Sequence, residues 1–172
     1  MSKQNNLINN AKEKLKSEIL EIENRTDISN DEKVDKIIKV FSISCAAIAV
    51  QPIPFADIFV LTPIQAYMGT RIAAIRGVPV SDAKMTQIIK EIGGVVGLGL
   101  LAQQLAIGAY KTFIPFLGAI TTIPMVYGLT FAIGKVIDMY FISKTRNETL
   151  SSEEIKSIMK ETLEKKKKEG KK

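Results

Sequence analysis

The sequence predicts an all-α fold of two tandem proline-turn helical hairpins, four apolar helices in all, flanked by N- and C-terminal amphipathic helices. Three observations carry that reading. Charge is segregated, because residues 40–143 hold only six basic and four acidic side chains while the chain as a whole carries 24 and 18. A proline pattern recurs: Ile53-Pro54-Phe55 is followed by Pro63, and Ile114-Pro115-Phe116, 61 residues further on, is followed by Pro124. Two serine–glutamate pairs, Ser29 with Glu32 and Ser151 with Glu154, have the spacing of capping boxes that open helices on either side of the apolar stretch.

The organisation follows from the charge pattern. Residues 1–39 form a charged amphipathic helix and the start of the first apolar helix, 40–143 a membrane-type double hairpin, and 144–172 an amphipathic helix with a lysine-rich tail. In the first block Leu7, Ala11, Leu15, Ile19 and Ile22 recur at helical spacing and make one narrow apolar stripe. The Ser29 cap starts the next helix, which stops near Val50 because Pro52 and Pro54 have no amide hydrogen to continue it. Pro54 suits the first turn of a second helix, from Phe55 to Arg76 with a kink at Pro63. Gly77, Pro79 and Ser81 read as stop, turn and N-cap.

A third helix is expected from Asp82 to about Lys111, and a fourth turns at Pro115, kinks at Pro124 and ends near Ser143. Between them Ile92–Tyr110 and Thr112–Gly134 give 19 and 23 uncharged residues, about the length that crosses a bilayer core. The first hairpin has shorter uncharged arms and fits partial insertion better than a full crossing. After Ser151 the apolar positions Ile155, Ile158, Met159 and Leu163 mark the last amphipathic helix, and the tail from Lys165 to Lys172 reads as disordered.

Composition excludes most chemistry. The chain has no histidine and a single cysteine, Cys45, in an apolar run where it reads as a small buried hydrophobe; a disulfide framework is excluded. Met1–Lys16 lacks an apolar signal core, so no secretory signal peptide is expected. The run Gly93-Gly94-Val95-Val96-Gly97-Leu98-Gly99 lacks the Gly-Lys-Ser/Thr ending of a phosphate loop, and Gly93 and Gly97 read instead as a small-residue face for helix packing. Gln65, Gln103 and Gln104 read as hydrogen-bonding across the bundle. No catalytic, metal or cofactor site emerges, and the lysine run Lys165, Lys166, Lys167 and Lys168 lacks the interleaved aromatics of a nucleic-acid surface.

Those lysines read as facing anionic lipid. With both proline turns outward, Lys33, Lys36, Lys39, Arg71, Arg76, Lys84, Lys90, Lys135, Lys144 and Arg146 fall inward and Lys111 alone outward, which predicts a cytoplasmic (inner) membrane location with both termini cytoplasmic. Asp57, one turn into the helix opened by Pro54, is the sharpest single residue. Lys111 occupies the corresponding turn of the second hairpin, and the two are expected to meet as a buried charge pair.

The stretch from Ala47 to Asp57, then Pro63-Ile64-Gln65 and the glycine-rich third helix, resembles the YcjF-like family of bacterial helical membrane domains of unknown function. The resemblance covers about residues 40–143. It implies association with Era-like small GTPases, which this chain would meet in trans because it carries no phosphate-binding loop. The expected role is a non-enzymatic membrane domain that anchors or senses for a cytoplasmic partner such as a small GTPase, with membrane lipids as partners and self-association into a homo-oligomer. A channel or pore and a soluble oligomeric helical scaffold are the alternatives.

Overall fold

The computed structural model describes residues 3–49, 61–96 and 115–169. Among them are six helices and no strand: α1 (Lys3–Asn24), α2 (Asn30–Ala49), α3 (Thr62–Ile75), α4 (Asp82–Val96), α5 (Pro115–Thr145) and α6 (Ser152–Glu169). Local chemistry sets most of their ends. At α2 the Ser29 amide donates to Glu32 Oε2 at 2.9 Å and the Glu32 amide donates to Ser29 Oγ at 3.2 Å. The same reciprocal pair opens α6, with Ser151 N to Glu154 Oε2 at 2.8 Å and Glu154 N to Ser151 Oγ at 3.2 Å. These amide hydrogen bonds hold both glutamates below their ordinary carboxylate pKa.

Two helices end alike. After α3 the Val78 amide donates to Ala73 O at 2.9 Å, with Gly77 at φ +78° supplying the left-handed turn. After α5 the Glu148 amide donates to Ser143 O at 2.9 Å, and here Asn147 takes φ +59°. Pro63 lies in the first turn of α3; the upstream part of the expected helix, and with it the kink expected at Pro63, lies outside the described residues. Pro115 likewise opens α5, whereas Pro124 lies within it and the helix continues on both sides. The expected disorder of the tail is corrected over residues 165–169: α6 stays helical through Glu169, with Ile155 and Met159 buried and anchoring its early turns, and residues 170–172 lie outside the described residues.

The helices run alternately. Lys135 reaches Asp35, Gly134 faces Ile38, and Tyr127 shares a groove with Ala47, so α5 runs antiparallel to α2. Gln65 meets Thr130 and Arg76 meets Asp138, so α3 and α5 run parallel. The long α5 is the central strut, packed by α2, α3, α4 and α6, while α1 closes over α2 and α3. Phe41, Met68, Ile72, Met85, Ile137 and Phe141 fill the interior between them.

Close approach of α2 to α5 depends on one missing side chain. A Cβ at Gly134 would lie 2.8 Å from Ile38 Cγ1, and the branched Ile38 in the core has nowhere to go. At Gly69 a Cβ would lie 2.5 Å from Met85 Sδ and 2.7 Å from its Cγ, atoms of an unbranched but wholly buried side chain. Gly134→Val is therefore expected to destabilise by about 1–3 kcal/mol, and Gly69→Ala by less, because the unbranched Met85 adapts more readily than Ile38. Urea melts of the two variants check the ordering.

Candidate functional site

The two ends of the bundle differ in kind. At the first, where α1 and α3 end and α2 begins, charges are matched. Arg76 donates through Nε to Asp138 Oδ1 at 2.7 Å and through Nη2 to Oδ2 at 3.1 Å, a bidentate pair, while its Nη1 donates to Asp31 Oδ1 at 2.7 Å. The Arg76 and Asp138 side chains are 12% and 9% exposed, and Asp31 is in water at 81%. Arg71 forks onto Glu23, with Nε 2.6 Å from Oε1, and Lys33 Nζ donates to the Glu23 carbonyl at 2.9 Å. The carboxylates of Asp138 and Glu23 raise the pKa of Arg76 and Arg71 respectively. Three of the cations counted as free inward charges, Arg71, Arg76 and Lys135, are thus bonded to carboxylates.

Midway, a short polar chain crosses the core. Gln65 Nε2 donates to Thr130 Oγ1 at 3.1 Å, and Thr130 hydrogen-bonds the Cys45 thiol. Thr130 and Cys45 are wholly buried. The expected cross-bundle role of Gln65 is met by this bond. Burial pushes the Cys45 thiol from 9.0 up to about 12, so it is a weak nucleophile in the folded protein. Because its folded pKa lies above the unfolded one, the neutral thiol favours the fold fully below pH 9.0, and that contribution is lost as pH rises from 9.0 to about 12. Thiol-reagent labelling of native protein should be slow and follow global opening. The alkaline decline in stability should be shallower in Cys45→Ala.

At the other end α2 finishes, α5 has its first turns, and α6 arrives with its lysines. An open groove with a cavity volume of about 550 Å³ is lined by Ile43, Ala46 and Ala47 of α2, Ile123, Pro124 and Tyr127 of α5, and Lys166 and Glu169 of α6. Ile43 is 53% exposed and Ile123 40%, large apolar side chains left in water side by side. Leu163 and Lys166 pack over Gly128, and Lys166 Nζ sits 4.1 Å from the Phe131 ring centroid while pairing with Glu169 at 2.7 Å. The Lys166 ammonium holds the Glu169 carboxyl below its usual range.

Several expected site residues, Asp57, Lys111, Pro52, Pro54 and Gly97, lie outside the described residues. Gly93 is described, and a Cβ there would meet no heavy atom within 4 Å among the described residues; close helix contacts occur at Gly69 and Gly134. The lysine-rich end of α6 lies at the groove, at the opposite end of the bundle from Arg76. Of the groove residues, Pro124 and Lys166 were singled out by sequence, the first as a kink and the second as lipid-facing. Among the described residues no cluster of three or more His, Cys, Asp or Glu could hold a metal. No family model matches the chain, nor does any curated protein or solved structure.

Proposed function

We propose that the protein is a non-enzymatic helical scaffold: two proline-bounded hairpins with α1 and α6 strapped along them, engaging its partners through the groove end. The observation that carries this reading is the packing of α6 on α5. Ile123–Thr145 is the one described helical stretch long and apolar enough to cross a membrane, and half of it is buried in the bundle. Along its outer side runs α6, which bears Lys156, Lys160, Glu161, Glu164, Lys165 and Lys166. Moving α5 across a bilayer would carry those charges toward its centre at about 2.5–3.5 kcal/mol each, or strip α6 away and expose Ile155 and Met159. A folded bundle in water avoids both costs.

A second reading, a membrane-embedded anchor or sensor for a cytoplasmic partner such as a small GTPase, is favoured by the uncharged length of Thr112–Gly134. Carbonate extraction of membranes from expressing cells decides between them. The scaffold reading expects release into the supernatant and a cooperative melt of the released protein without detergent. Retention until detergent is added would overturn it in favour of the anchor. Light scattering on the released protein then gives the oligomer number, self-association being the way such a scaffold would cover Leu20 and Met139, which are exposed on α1 and α5.

A further inference from the structure

We infer that the groove end is a landing surface for an anionic bilayer, which the protein meets from the water side without threading a helix through it. The inference rests on the scaffold reading and names the partner of its groove end. Two observations converge there. Ile43 and Ile123, from two different helices, stand exposed on one groove, with Met125 exposed beyond them. The same end receives the basic terminus of α6: Lys165 and Lys168 are exposed, and residues 165–172 contain six lysines against Glu169 alone.

Apolar side chains that can enter the acyl boundary, ringed by lysines that can reach phosphate, are the chemistry of interfacial lipid binding. Lys166 contributes less than its neighbours because Glu169 and the Phe131 ring already engage it. Lys165 and Lys168 therefore carry the electrostatic part, against Glu161 and Glu164 on the same helix. An acidic protein or a nucleic acid would use the lysines but would leave the exposed isoleucines without a role. At the opposite end Arg71 and Arg76 are tied to carboxylates.

The test is flotation of the full chain with phosphatidylcholine vesicles, with and without phosphatidylglycerol. Wild type is expected to float with the phosphatidylglycerol vesicles alone and to be released by high salt and by carbonate. Lys165→Glu/Lys168→Glu should weaken that binding at least about thirtyfold. Ile43→Ser/Ile123→Ser should weaken it while leaving the salt dependence in place, and Leu20→Ser, on α1, should bind as wild type; circular dichroism confirms that each variant is folded. A folded, carbonate-released protein that ignores anionic vesicles, or binds them equally well in both double variants, overturns this inference and leaves the scaffold reading intact. Binding that resists salt and carbonate overturns both. Equal binding to single-stranded DNA, unaffected by the isoleucine changes, assigns the lysines to another polyanion and also overturns it.

Discussion

Asp138→Leu is expected to cost about 3–5 kcal/mol, the largest loss from any single charged position in the bundle. The carboxylate is nearly dry, holds Arg76 with two hydrogen bonds, and ties the end of α3 to the last third of the central helix. Removing it strands a guanidinium that is 12% exposed, with Asp31 as its remaining partner. Arg76→Met/Asp138→Leu should be markedly more stable than Asp138→Leu alone, because the double change leaves no buried charge without a counterion, while Asp31 stays in water. Urea midpoints of the two single variants and the double variant form the cycle. A double variant no better than Asp138→Leu would show that the site is held by packing and not by charge.

Phe41→Ala should be comparably costly, about 3–5 kcal/mol. Its ring is wholly buried on α2 and meets Tyr67 of α3 edge to face, with centroids 5.7 Å apart and planes at 75°. Two residues on, Ile43 points to the groove and is more than half exposed, so Ile43→Ala should change stability by no more than about 0.5 kcal/mol. Denaturant melts of this pair separate the face of α2 that holds the bundle from the face that is free to meet something else. Equal losses at both positions would mean that the groove is covered in solution.

What the sequence made legible was whatever one or two turns of chain decide. Ser29 with Glu32, Ser151 with Glu154, and Gly77 before Pro79 act through bonds spanning a few residues, so their spacing carries the structure directly. Buried stripes such as Leu15, Ile19 and Ile22 are legible for the same reason. The long-range pairings were not. Gly134 against Ile38, Lys135 against Asp35 and Arg76 against Asp138 join positions 62 to 100 residues apart in the chain, and nothing local records that α2 and α5 share that register.

Counting cations misled for a related reason. Arg71 and Arg76 look like free positive charge until their acidic partners from α1, α2 and α5 are known. The groove illustrates the same limit: Ile43 and Ile123 each look like ordinary core positions on an apolar helix. Only the three-dimensional arrangement leaves both uncovered. The expected Asp57–Lys111 pair falls in stretches outside the described residues.

The direction of α6 has a practical consequence for anyone handling the protein. Because this helix doubles back along α5, whatever is fused after Glu169 emerges beside Ile43 and Ile123, not beside Arg76. A C-terminal affinity handle or fluorescent protein would therefore crowd the groove and, if polyhistidine, alter its charge. A label placed in the Arg146–Leu150 turn, at the other end of α6, would report on the same molecule while leaving the groove open.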